Sequence, residues 1–191
     1  MAPNSITVRV PAKVNLQLSV GPKEADGFHN LVSVFQAISI FDDVTVTKTK
    51  PGSGVTIAVS GEHTHGVPED HSNLAVKAAK LIGEKFEFDT DVHIEIKKSI
   101  PVAGGMAGGS ADAAGTLVAM DALFQLEMSR EELRAAQDVV PAQLVARIGR
   151  AGRVRRRVED QPLGLGRDRR FQLLAGHFEA GILAALHDYR R

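Results

Sequence analysis

The segment IPVAGGMAGGSADAA, residues 100–114, places the strongest constraint on what this chain can fold into. It follows an alternating apolar segment, VHIEI, and leads into an alanine-rich run, which predicts a loop between a strand and a helix. The glycines at positions 104, 105, 108 and 109 have two explanations. One is a tight turn that needs positive φ angles. The other is a loop whose backbone N–H groups must come close to an anion such as a polyphosphate.

The loop departs from two standard nucleotide-binding patterns. Gly104 and Gly109 have the glycine spacing of the P-loop, but position 110 is serine where that motif has its phosphate-binding lysine. The glycines do not fit the dinucleotide-binding pattern either. A helix N-terminus still attracts anions, so Ser110 could add a hydroxyl contact to a phosphate or to a bound magnesium ion. A plain turn of small residues stays open as the alternative.

The first 128 residues have the pattern of an α+β domain. Six segments alternate with the period of a strand, at 6–10, 14–20, 33–40, 44–49, 55–60 and 91–98. One helix is expected over 73–86, capped by Ser72 or Asn73, and a second from Gly109 or Ser110 onward. Strict alternation along the second segment would place Lys13, Asn15, Gln17 and Ser19 on one face. The early clustering of strands argues against a repeating βαβ fold.

The basic residues change type along the chain. All nine lysines lie at or before Lys98, whereas every arginine except Arg9 lies at or after Arg130. We therefore divide the chain into residues 1–134 and an Arg-rich segment, 135–191, with helix-like apolar spacing near its end. Three interpretations of residues 147–172 stay open. They are a flexible basic linker, sequence translated from a shifted reading frame, or a nucleic-acid-binding arm, which we rank last because aromatic residues for stacking on bases are scarce.

Bulk composition excludes several classes of protein. The formal net charge is zero, which gives no general attraction to nucleic acid or membranes. Cysteine is absent, so disulfides and thiolate metal sites are excluded. Neither a signal peptide nor a membrane-spanning apolar run is evident, and we expect a cytoplasmic protein. His63, His65 and His71 lie in a polar stretch without a defined ligand spacing, so we expect no metal site there.

The loop sequence resembles the phosphate-binding motif of the galactokinase, homoserine kinase, mevalonate kinase and phosphomevalonate kinase (GHMP) superfamily. The segments PAKVNLQLSV, DGFHNLVSVFQAISIFDDV and SNLAVKAA resemble, in order, other motifs of its 4-diphosphocytidyl-2-C-methyl-D-erythritol kinases. The resemblance covers about residues 6–128 and implies a ribosomal protein S5 domain 2-like fold. It also implies transfer of the ATP γ-phosphoryl group, with Mg²⁺, to the 2-hydroxyl of the cytidine-linked methylerythritol in non-mevalonate isoprenoid biosynthesis.

The resemblance also assigns roles to individual residues. Lys13 matches the active-site lysine, and Asn15 would hydrogen-bond the erythritol hydroxyls. Phe28, where the family more often has tyrosine, and His29 would recognise cytosine. The residues expected to wrap the ATP phosphates are Pro101, Val102, Ala103, Gly104, Gly105, Met106, Ala107, Gly108, Gly109, Ser110 and Ala111.

The resemblance stops where the lysines give way to arginines. The family carries a Gly-Ser/Ala-Asp-Val-Pro-Phe motif whose aspartate is the catalytic base, and this chain has only the partial echo QDVVPAQL, with Asp138 in place of that aspartate. Two hypotheses therefore remain open. Either the chain is an active small-molecule kinase, or it is a truncated, inactive nucleotide-binding remnant of one.

Overall fold

The computed structural model describes residues 3–23 and 29–145. The elements are strands β1 (Ser5–Lys23), β2 (His29–Lys48), β3 (Val55–Gly61) and β4 (Val92–Lys98), and helices α1 (Leu74–Phe86), α2 (Gly108–Phe124) and α3 (Arg130–Val145). The strands form one sheet in the order β1-β2-β4-β3, in which only β3 and β4 are parallel. The expected α+β class is confirmed.

One face of the sheet is buried and the other is polar. On β4 the buried residues alternate with more exposed ones, so that Ile94 and Ile96 face the helices. On the opposite face, β1 and β2 are joined by cross-strand pairs of polar side chains, including Thr7 with Thr45 at 2.8 Å. Arg9 pairs with Asp43 on the same face. This single buried face places every helix on one side of the sheet.

Helix α2 is the centre of the core. Four of its five alanines, together with Leu117, Val118 and Met120, are buried. The small residues allow close packing, because an added Cβ at Gly115 would lie 2.8 Å from Val10 Cγ1 on β1. Helix α1 packs beside α2 and begins as expected at Asn73, whose side chain accepts a hydrogen bond from Ala75 N. The N-terminus of α2 is thereby fixed against the sheet.

The start of helix α3 is marked by a capping motif that was not among the sequence-based predictions. Ser129 and Glu132 form a capping box, since each side chain accepts the other's backbone N–H. Leu133 and Val140 are buried, and α3 packs against α1 and α2. The division expected at residue 134 falls inside this helix. That division stays a prediction, and the Arg-rich residues 146–191 lie outside the described part of the chain.

Strands that the sequence predicts as separate are continuous in the structure. The first two alternating segments form the single strand β1, and the next two form β2. The expected continuous alternation in β1 is wrong beyond Asn15, because the register shifts by one residue at Leu16. Within the described residues, no helix is long and apolar enough to cross a membrane.

Candidate active site

The glycine-rich loop joins β4 to α2 and presents unpaired backbone donors. Residues 102–105 are exposed, and between Val102 and Ala107 no backbone N–H donates to another described residue. Helix α2 begins at Gly108 without any side-chain cap, since its N-cap residue is Ala107. Uncapped N–H groups and the helix dipole together make this end of α2 attractive to an anion.

A positive φ angle accounts for one of the four glycines, Gly105, and the explanation by a bound anion stays a prediction for the others. Positive φ angles occur at Gly105 and at two alanines, Ala103 and Ala107, where an L side chain is strained. Gly104 and Gly109 have neither a positive φ nor a close neighbour, since an added Cβ would meet nothing nearer than 3.5 Å. Packing against the described residues therefore does not require glycine at 104 or 109, whereas close approach of a ligand to the backbone would.

Lys13 lies beside the loop. Its backbone N–H donates to the carbonyl of Met106 at 3.2 Å, which ties β1 to the middle of the loop. The side chain is only 3% exposed, and its Nζ donates to Asn15 Oδ1 at 2.5 Å. The Phe35 ring centroid is 5.2 Å from Nζ. Burial lowers the pKa of Lys13 below its usual value of 10.5.

The bulge in β1 decides which side chains share a face with Lys13. Asn15 pairs with Phe35, and after the shift at Leu16 it is Leu18 that pairs with Ser33. Residues directly opposite each other share a face, so Leu18 stands with Lys13 and Asn15. Gln17 and Ser19, expected on that face, lie on the other one. Asn15 is held in place by donating to Ser33 Oγ at 2.7 Å.

A cluster of three buried charges lies directly under the loop, and we call it the buried clamp: Asp42, Lys98 and Asp112. All three are at most 2% exposed. The Lys98 ammonium donates to Asp42 Oδ2 and, at 2.8 Å, to Asp112 Oδ2. Asp42 Oδ1 also accepts the backbone N–H groups of Ser99 and Ile100, at 2.6 and 2.9 Å. Asp112 Oδ1 has no hydrogen-bond partner among the described residues.

Burial sets the charge state of the clamp. Loss of hydration, with repulsion from Asp42, outweighs the attraction of Lys98 and raises the pKa of Asp112 to about 7. Burial alone would lower the pKa of Lys98, but the carboxylates of Asp112 and Asp42 raise it above 10.5. Lys98 is therefore a cation at neutral pH, while Asp112 titrates near neutrality.

The structure brings part of the expected site together. The loop, Lys13 and Asn15 are adjacent. Phe28 lies outside the described residues, and His29 begins β2 but its side-chain position is not among those described. Asp138 lies within α3, and its side-chain surroundings are likewise not described. No carboxylate of the described residues lies within ion-pairing distance of Lys13.

The sequence analysis missed Asp42, Lys98 and Gln137. Gln137 is buried on α3 and donates to the Ser110 carbonyl at 3.2 Å, so α3 contacts the first turn of α2. A signal for Lys98 was present, because alternation along VHIEIKK places it on the buried face with Ile94 and Ile96. A lysine at a core position requires a buried anion, and Asp42 and Asp112 supply it.

Known proteins with similar sequences agree with the resemblance to GHMP kinases that the motifs indicate. Residues 73–151 match the model of the GHMP kinases N terminal domain. A 4-diphosphocytidyl-2-C-methyl-D-erythritol kinase of Thermobifida fusca is 55% identical over 138 residues, which cover 69% of this chain and 45% of the relative. The kinase of the same description from Streptomyces coelicolor is 54% identical over 129 residues, covering 68% and 42%.

Solved structures agree at the level of the fold. A crystal structure of 4-(cytidine 5'-diphospho)-2C-methyl-D-erythritol kinase superposes with a TM-score of 0.54 at 32% identity, over 74% of this chain and 49% of that one. Homoserine kinase from Cytophaga hutchinsonii gives a TM-score of 0.59 at 17% identity, over 76% and 44%, and shows the fold alone.

The chain spans less than half the length of the two curated relatives it matches here. The match nevertheless includes the glycine loop, and the similarity holds in sequence and in fold. The chain is therefore similar, in sequence and in fold, to the N-terminal domain of GHMP kinases and to part of the 4-diphosphocytidyl-2-C-methyl-D-erythritol kinases.

Proposed function

We propose that the protein is a cytoplasmic transferase of the non-mevalonate route to isoprenoids. It would transfer the γ-phosphoryl group of ATP to the 2-hydroxyl of 4-diphosphocytidyl-2-C-methyl-D-erythritol. The observation that carries this proposal is the backbone contact between Lys13 and Met106, because it joins a residue with a buried cationic side chain to the loop that leads into an uncapped helix N-terminus. Phosphoryl transfer depends mainly on such positioning and charge stabilisation.

The loop would bind the ATP phosphates over residues 101–111. Free N–H groups and the end of α2 supply hydrogen bonds and positive potential. Gly104 and Gly109 leave room for phosphate oxygens next to the backbone. Ser110, in the first turn of α2, would add its hydroxyl.

Magnesium would enter the site together with ATP. The described residues contain no cluster of three or more His, Asp or Glu side chains that would bind a metal by themselves. This fits Mg²⁺, which keeps several waters and is usually bound by substrate phosphates and one or two protein groups. Its contribution would be to neutralise part of the charge on the phosphates.

Lys13 and Asn15 would bind the substrate that accepts the phosphoryl group. The desolvated ammonium would stabilise negative charge that gathers on the transferred phosphoryl group. Asn15, fixed by Ser33, would orient the erythritol hydroxyls. Phe28, and His29 at the start of β2, would hold the cytosine by stacking and hydrogen bonding.

A second candidate function is binding of ATP without transfer. The observation that favours it is that, among the side chains the structure describes, no carboxylate lies within ion-pairing distance of Lys13, where it would serve as the general base. The nucleotide site is the same in both candidates, and they differ only in turnover.

The two candidates are separated by measuring transfer and binding on the same preparations. Transfer of labelled phosphate from MgATP to the cytidine-linked methylerythritol is measured for the full chain and for Lys13→Ala. Loss of the buried cation should lower turnover about a hundredfold or more. Calorimetric titration with MgATP measures binding independently of turnover.

Lys85→Ala is the matched control, because Lys85 is an exposed lysine paired with Glu132 away from the loop. It should keep the parent's rate. Turnover that disappears only in Lys13→Ala supports the kinase. MgATP binding with no turnover in any variant supports the second candidate, and absence of MgATP binding by the folded parent contradicts both.

A further inference from the structure

The buried clamp has no place in the phosphoryl-transfer chemistry proposed above. Its three charged groups are enclosed and do not reach the surface of the site. Buried ion clusters contribute little net stability, because desolvation offsets much of their attraction. Their value more often lies in fixing one arrangement of the elements they join, and the elements joined here are the two ends of the glycine loop.

The first end of the loop is held by Asp42. One carboxylate oxygen accepts the N–H groups of Ser99 and Ile100, the two residues that leave β4. The other oxygen accepts the Lys98 ammonium, one residue earlier. A single side chain on β2 therefore binds three successive residues and sets the direction in which the chain enters the loop.

The second end is held through Lys98. The same ammonium binds Asp112 in the first turn of α2, at 2.8 Å. The chain passes close over this group, since an added Cβ at Gly108 would lie 3.1 Å from Lys98 Nζ and 3.1 Å from Ile100 Cγ2. The absence of a side chain at Gly108 is thus explained by the clamp, unlike the absence at Gly104 and Gly109.

Between these two ends, the loop has few supports of its own. Residues 102–105 are exposed, and Ala103 and Ala107 hold strained positive φ angles. Such a conformation persists only when its surroundings over-determine it. The clamp below and the Lys13–Met106 contact at the side are constraints that hold the two ends and the middle of the loop.

We infer that Asp42 is a positioning residue for ATP: through Lys98 and the amides of Ser99 and Ile100 it holds the loop in its phosphate-binding shape. The inference rests on the proposed function for the identity of the ligand. The order of the loop is an independent consequence, which is present before any nucleotide binds.

The test compares Asp42→Asn with the parent in two measurements at a temperature where both are folded. The first is thermolysin cleavage of the ligand-free protein, with sites assigned by mass spectrometry. We expect cleavage before Val102 and Met106 to be about tenfold faster in the variant, while cleavage before Val55, in the turn that precedes β3, keeps its rate. The second is MgATP titration, in which the dissociation constant should rise about tenfold.

The matched control is Asp43→Asn, which removes the neighbouring carboxylate from the polar face of β2, where it pairs with Arg9. It should match the parent in both measurements. If Asp42→Asn does not fold, the double variant Asp42→Asn, Lys98→Met leaves no unpaired buried cation and should show the same two changes.

The outcomes separate the two proposals. Cleavage of Asp42→Asn that is faster only in the loop supports the role of Asp42 in holding the loop. If the parent also fails to bind MgATP, the proposed function is contradicted while this role stands. Unchanged loop cleavage, or cleavage that rises equally at Val55, overturns the positioning role. It is also overturned if the parent binds MgATP and the variant binds it equally well.

Discussion

The four glycines of the loop do not share one structural explanation. Gly105 has a positive φ, which favours glycine, and an added Cβ at Gly108 would crowd Lys98 and Ile100 at 3.1 Å. Gly104 and Gly109 are required by nothing in the described structure. The sequence alone left two explanations open for the four glycines as a group, because spacing does not reveal which φ is positive or which Cβ would clash. Ala103 and Ala107 adopt positive φ angles although their residue type predicts the opposite.

Gly109→Ala tests whether a ligand explains the glycine. An added Cβ would meet only Leu74 Cδ1 at 3.8 Å, so the melting temperature should stay the same or rise slightly. The affinity for MgATP, measured by calorimetry, should fall about tenfold because the methyl group would occupy space near the phosphates. Gly115→Ala is the opposite control, since its Cβ would overlap Val10 and lower stability by about 1–3 kcal/mol. Unchanged affinity in a folded Gly109→Ala would contradict the phosphate site.

Two elements, β1 and α2, carry features that periodicity does not predict. Alternation predicted the strands and their buried face, and the asparagine cap predicted the start of α1. The bulge at Leu16 was not predictable, because one extra residue leaves the apolar pattern of the sequence unchanged while reversing the faces in space. Helix α2 is buried on all sides, so it has no amphipathic stripe and only its loop marked its start.

The clamp makes the stability of α2 depend on pH. The folded-state pKa of Asp112, about 7, lies above its usual value of 3.8, so the folded state binds the proton more tightly than the unfolded state. Its contribution to stability is complete below about pH 4 and is lost as the pH rises towards 7. The free energy of unfolding of the parent, relative to Asp112→Asn, should therefore fall between pH 4 and 7, by at most about 1.4 kcal/mol per pH unit.

Urea unfolding of both proteins at pH 5, 6, 7 and 8 checks this expectation, and carboxylates outside the clamp cancel in the comparison. Above pH 7 the difference between the two free energies of unfolding should stop changing with pH. A difference that is constant from pH 5 to 8 would show that Asp112 is ionised throughout.

At the scale of the whole molecule, sequence reasoning predicted the α+β class, the similarity to GHMP kinases and the loop, because these depend on periodicity and on ordered motifs. It did not predict the clamp, because Asp42, Lys98 and Asp112 are brought together by sheet pairing and helix packing between positions far apart in the chain. It also did not predict that α3 reaches α2 through Gln137 and Ser110. The roles of Lys13, Asn15, Phe28 and His29 stay predictions that experiment must test.

The central claim is that MgATP binds at the loop beside Lys13, and amide hydrogen exchange of the full chain with and without MgATP tests it most directly. The N–H groups between Val102 and Ala107 have no partners among the described residues, so bound phosphates should slow their exchange markedly. Peptides that cover residues 100–112 and the part of β1 around Lys13 should show this protection, while β3 should not. Protection confined to other parts of the chain, or none at saturating MgATP, would contradict the account.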